Sequence, residues 1–192
     1  MKFDSGASMK LYRQTVEDFR LYPGAELSAE QMAALEEAAG AMSAKMRAVR
    51  IVTASNVSRK DLERRLVQKG ENPDQAKDAV EWMEELNLLD DRRTARQIVE
   101  SCAHKGYGLM RAKQALYEKQ IPKHLWEEAL EDYPDQTEYI VKFLKMKISD
   151  PEDQKQVKRA IDALMRRGHG YGQIRRALDR IGADSGDFME DE

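Results

Sequence analysis

The chain has 192 residues, and its 32 basic and 35 acidic side chains nearly cancel, while aromatics make up only 7%. That is the composition of charged helical surface and not of a deep sheet core. The single Cys102 excludes an internal disulfide framework, and the longest charge-free run, residues 51–58, is far too short to span a bilayer. The opening MetLysPheAspSer lacks the apolar stretch of a secretory leader, so a cytoplasmic protein with no membrane contact is expected.

The first 28 residues have no clear helical period. Met9 to Tyr12 suits a short strand and TyrProGlyAla at 22–25 is a turn signal, so an irregular or β-hairpin-like N-terminal segment is expected. From Ser28 onward apolar residues recur at offsets of three, four and seven, the period of an amphipathic helix. Ser28 with Gln31 makes a capping box that predicts a helix through Ala39, and a second run carries Met42, Met46, Val49 and Val52. Gly40 either interrupts these runs or merely bends them.

Ser58 and Asp61 form the clearest helix start, with Leu62 and Leu66 on one face and a stop at Gly70. Asn72 and Pro73 occupy the cap and first-turn positions of the next helix, whose core stripe is Ala76, Ala79, Val80, Met83 and Leu86. Asp90 or Asp91 caps a third, with Ala95, Ile98, Val99 and Cys102 inward and Gly106 at its end. Cys102 on that stripe reads as a small buried hydrophobe.

The pattern then restarts. Leu109, Ala112 and Leu116 line one helix, Pro122 opens another with Leu125, Ala129 and Leu130, and Pro134 precedes one carrying Ile140, Val141 and Leu144. Pro151 is expected in the first turn of a helix bearing Val157, Ala160, Ile161 and Leu164, and a last helix carries Ile174, Ala177, Leu178 and Ile181. Helices this short cannot bury their apolar faces alone, so they must stack. The expected fold is all-α: an N-terminal extension over 1–40, then about three tandem three-helix repeats over 41–89, 90–134 and 135–182, forming an elongated, curved array. Residues 183–192, with five acids and no base, are expected to be a disordered acidic tail.

Chemistry is scarce. His104, His124 and His169 lie too far apart for helical metal ligation, no nucleophile sits in an elbow pattern, and the adjacent acidic pairs point in different directions on their helices. The glycine-rich run GlyHisGlyTyrGly at 168–172 follows a helix and lacks both phosphate-loop spacings, so it reads as a stop and joint between helices. No catalytic residue, metal or cofactor is expected.

Charge is informative only when counted by segment. Residues 58–70 hold five bases and two acids, 74–91 one base and seven acids, 105–123 five bases and one acid, 126–138 six acids and no base, and 155–180 eight bases and two acids. Either equivalent helices line up into one positive and one negative ridge, or neighbouring helices neutralise each other pair by pair.

The basic helix from Ser58 to Gly70, LeuAsnLeuLeuAspAsp at 86–91, LysGlyTyrGly at 105–108, LeuTyrGluLysGln at 116–120 and ArgArgGlyHisGlyTyr at 166–171, in that order and spacing, resemble the bacterial RecX regulatory proteins over about residues 44–181. Two positions depart from the family pattern: no phenylalanine-type residue stands at 93–95, and Gln120 replaces a customary glycine. The resemblance implies three three-helix repeats that lodge in the groove of the RecA nucleoprotein filament and limit its extension, ATP hydrolysis and strand exchange. The expected contacts are the basic positions Arg59, Lys60, Arg64, Arg65, Lys69, Arg111, Lys113, Arg166, Arg167, Arg175 and Arg176. A monomer is expected, with weak single- or double-stranded DNA contact at most. The rival readings are a direct DNA-binding helical protein and a helical adaptor for another partner.

Overall fold

The computed structural model describes residues 2, 3, 6 and 8–183, so the expected acidic tail lies outside the described residues apart from Ala183. Ten α-helices and no strand are found among them: α1 (Arg13–Asp18), α2 (Ala29–Ala54), α3 (Arg59–Gln68), α4 (Pro73–Glu85), α5 (Asp91–His104), α6 (Leu109–Glu118), α7 (Trp126–Leu130), α8 (Thr137–Lys147), α9 (Gln154–Arg166) and α10 (Tyr171–Asp179). The chain divides into two compact units, one up to Asp90 and one from Asp91.

In the first unit the N-terminal stretch is irregular, with one antiparallel bridge between Lys2 and Ser8. Among the described residues Met9 to Tyr12 belongs to no strand and leads into the short helix α1. The capping box forms: the Ser28 hydroxyl accepts from the Gln31 N–H at 3.1 Å, and Gln31 Oε1 accepts from the Ser28 N–H at 2.9 Å. The helix it opens runs unbroken through Gly40 for 26 residues. A Cβ at Gly40 would stand 2.4 Å from Gln75 Oε1. The missing side chain lets Gln75 of α4 lie across α2 and donate to the Glu37 carbonyl at 3.2 Å.

The core of this unit joins Ala44 and Ala48 of α2 to Leu62, Leu66, Ala76, Ala79, Val80, Met83 and Leu89. Alanines on the facing helices allow a close approach, and each fully buried Leu or Met side chain stabilises by about 1.5–3 kcal/mol relative to exposure. Leu86 is not in the stripe as expected: α4 has ended there, Leu86 is exposed, and Leu89 supplies the buried leucine.

The second unit packs α5, α6 and α7 around Ala95, Val99, Leu116 and Ile121. Its other cluster joins α8, α9 and α10 through Ile140, Leu144, Val157, Ile161, Leu164, Ile174 and Leu178. Pro122 opens a single 3-10 turn, Lys123–Leu125, before α7. Helix α9 begins later than Pro151 predicts. The Asp153 carboxylate caps it, accepting from the N–H groups of Lys155 at 2.9 Å and Gln156 at 3.2 Å, and Pro151 is left in the preceding turn. Those backbone hydrogen bonds hold the Asp153 carboxyl below its usual range.

One way of stopping recurs. Arg20, Gly70, Asn87, Gly106, Gln120, Gly168 and Gly182 each adopt positive φ just past a helix. In each case the following N–H donates back across the last turn, as from Glu71 to Leu66, Ile121 to Leu116 and His169 to Leu164. This satisfies a terminal carbonyl and turns the chain sharply. Gln120 therefore fills a left-handed position whose counterpart after α3 is Gly70.

Candidate partner-binding surface

The eleven basic positions fall into three groups. Arg59 reaches Glu84 at 2.9 Å, and Arg64 and Arg65 both pair with Asp61, whose carboxylate is 1% exposed and follows the Ser58 cap. Arg111 reaches Glu118 on its own helix at 3.0 Å, which raises the arginine's pKa and lowers the glutamate's. Lys60, Lys69, Lys113, Arg166, Arg175 and Arg176 stay exposed with no carboxylate within ion-pair distance among the described residues. The charge bands thus partly neutralise each other: Arg92 and Arg96 of α5 share Glu128 of α7, and Arg180 of α10 pairs with Glu138 of α8.

Arg167 alone forms the third group, because it is turned inward. Its guanidinium lies 5.1 Å from the Tyr107 ring centroid, 5.4 Å from Tyr139 and 5.9 Å from Phe143, and it donates to the Lys105 carbonyl at 2.9 Å. Stacked cations of this kind contribute about 0.5–2 kcal/mol each. Sequence reasoning placed Arg167 on the surface because its tandem with Arg166 hides which of the two faces the α5–α6 joint.

The two glycine runs, read separately in the sequence, meet in one clasp. The Gly108 N–H donates to the Arg167 carbonyl at 2.9 Å and the Met110 N–H to the Gly168 carbonyl at 3.2 Å. The buried His169 ring makes a 3.1 Å hydrogen bond through Nε2 to the Gly106 carbonyl and stacks on Tyr139 at 5.9 Å. Burial, with a smaller push from Arg167, lowers the His169 pKa. The Tyr133 hydroxyl donates to the Tyr107 carbonyl at 2.8 Å, and burial pushes its pKa up to about 12. A Cβ on Gly108 would stand 2.0 Å from the Gly168 carbonyl oxygen, so backbone meets backbone there and only glycine fits.

These groups do structural work. Cys102 is buried, which pushes its thiol up, away from the reactive thiolate. Among the described residues no three His, Cys, Asp or Glu side chains converge as a metal site would require, and no helix is long and apolar enough to cross a membrane.

Helices stopped by left-handed caps and stacked in short sets, with cations on α3, α6, α9 and α10 that have no ion pair among the described residues, define a tandem three-helix-repeat protein. Residues 90–130 match the family model described as the second three-helix domain of RecX. A regulatory protein RecX of Xanthomonas axonopodis pv. citri is 31% identical over 134 residues, 68% of this chain and 83% of that protein. One of Vibrio parahaemolyticus is 28% identical over 140 residues, 71% of this chain and 90% of its own length. A crystal structure of regulatory protein RecX superposes with a TM-score of 0.68 at 19% identity, over 93% of this chain and 91% of that one. The chain belongs to the RecX family of regulatory proteins.

Proposed function

We propose that this chain binds the RecA nucleoprotein filament and restrains its extension, ATP hydrolysis and strand exchange, acting by occupancy without chemistry of its own. Membership of the RecX family carries the reading. Lys60, Lys69, Lys113, Arg166, Arg175 and Arg176, exposed and without an ion pair among the described residues, support it as the primary contacts, with the ion-paired Arg59, Arg64, Arg65 and Arg111 secondary. The three-helix repeats over 41–89, 90–134 and 135–182 are proposed as its building units, and a cytoplasmic monomer as its working form. The test is RecA ATPase and strand exchange on single-stranded DNA with added protein. Inhibition well below RecA stoichiometry is expected, and no effect in excess over filament ends refutes the reading.

The Tyr117 ring is 66% exposed one turn beyond Lys113, which favours direct single-strand binding as a second reading. Gel shifts with and without RecA separate the two, because direct binding persists without RecA and weakens steeply with salt.

A further inference from the structure

We propose that the exposed stripe of α6 through Met110, Lys113 and Tyr117 is a docking surface whose occupant is this chain's own acidic segment, residues 184–192. Positions 110, 113, 114 and 117 share one face of α6, opposite the buried Ala112 and Leu116. Met110 is 62% and Tyr117 66% exposed on that face. Single exposed apolar side chains need no explanation, but two large ones bracketing a lysine make a patch that water solvates poorly.

The clasp sets what lies beside it. Met110 is hydrogen-bonded to Gly168, so the end of α9, with exposed Met165 and Arg166, abuts the start of α6. Helix α10 begins three residues on, at Tyr171, and carries the exposed Arg175 and Arg176. Lys113, Arg166, Arg175 and Arg176 have no ion-pair partner among the described residues, although Arg111 and Arg180 nearby do. The surface is therefore an apolar strip that carries Lys113 and has Arg166 beside its start, whereas Arg176 on α10 already acts on the Asp135 carboxylate.

Residues 184–192, AspSerGlyAspPheMetGluAspGlu, are the complement: five acids, no base, and Phe188 with Met189 at the centre. Phe188 and Met189 suit the Tyr117 and Met110 side chains, and the flanking acids suit Lys113 and Arg166. Reach permits it. The segment leaves from Ala183, which is buried in the core beside α10, and Phe188 and Met189, the fifth and sixth residues beyond it, reach up to about 20 Å when extended. Returning along α10 to Gly168 takes only about 14 Å. Tethering holds the segment at an effective concentration of order millimolar, so a weak contact is populated.

Because the same cations are assigned to the filament under the proposed function, the docked segment competes with the filament, and that consequence rests on that reading. Docking itself is tested without RecA on the full chain. NMR spectra of the protein are compared with those of two full-length variants, Phe188→Ser with Met189→Ser, and Asp187→Asn with Glu190→Gln and Asp191→Asn. The Met110 methyl and the amides of Lys113 and Tyr117 are expected to shift in both variants, and in the parent as salt rises from about 0.05 to about 0.5 M. Unchanged α6 resonances, or shifts confined to other helices, overturn the proposal. In the RecA ATPase assay the variants are expected to inhibit at severalfold lower concentration, and equal potency overturns the competition. If the segment docks but RecA is unaffected by every form of the protein, the proposed function falls and the docking stands.

Discussion

Gly108→Ala tests whether the clasp holds the second unit together. The added Cβ would meet the Gly168 carbonyl oxygen at 2.0 Å, its carbon at 2.2 Å and the His169 nitrogen at 2.4 Å, all backbone atoms that no rotamer change can move aside. One of the two turns must retreat. The hydrogen bonds from Gly108 to Arg167 and from His169 to Gly106 then lengthen or break. Overpacking of this kind costs about 1–3 kcal/mol and each of the two strained hydrogen bonds about 1 kcal/mol, so a loss of about 3–5 kcal/mol is expected. Urea unfolding followed by Trp126 fluorescence in a Trp82→Phe background reports the second unit, whose core Trp126 packs against. With a urea slope of about 2 kcal/mol/M, the midpoint should fall by roughly 1.5–2.5 M. Gly172→Ala is the control: it lies in α10 with nothing within 4 Å of its Cβ, and should gain up to about 1 kcal/mol. A Gly108→Ala loss under about 0.5 kcal/mol, no larger than an ordinary surface change, would refute the clasp.

Gln120→Gly should stabilise by about 0.5–1 kcal/mol in the same assay, because a side chain at φ 54° is strained where glycine is not. His169 makes stability pH-dependent. Its folded pKa lies below the ordinary 6.5, so the unfolded chain takes up the proton first; stability is full above about 6.5 and falls as pH drops toward the folded value. Urea midpoints at neutral and mildly acidic pH check this, and His169→Gln should flatten the difference. Cys102 should react with a thiol reagent more than about tenfold more slowly in the native protein than in urea, since burial disfavours its thiolate. Equal rates would place it at the surface.

Helix existence was legible because each element announces itself locally. The Ser58, Asn72 and Ser28 caps and the buried stripes of α3, α5 and α9 stand where the 3.6-residue period puts them. What depended on distant partners was not legible. Gly40 reads equally as a break or a bend until Gln75 of α4 is seen lying against it, and Pro151 looks like a helix start until Asp153 takes the cap. The same limit applies to the surface. Charge counting found the basic helices, but Asp61, Glu84 and Glu118 had already engaged four of the chosen arginines, and Arg167 had turned inward. Neither the clasp nor the arginine stacked within it leaves a local signature, since LysGlyTyrGly and GlyHisGlyTyr read equally well as two independent stops.

The clasp also dictates an order of events at the ribosome. Its hydrogen bonds join residues 58 to 63 positions apart, so α5, α6 and α7 emerge with their joint open and the Tyr107 ring lacking the inserted arginine. At about 5–20 residues per second, that interval lasts roughly 3–12 s before Arg167 and His169 arrive. The first unit, with all four of its helices already made, has that time to settle. For those seconds the half-built second unit is the part of the nascent chain that most needs shielding from aggregation.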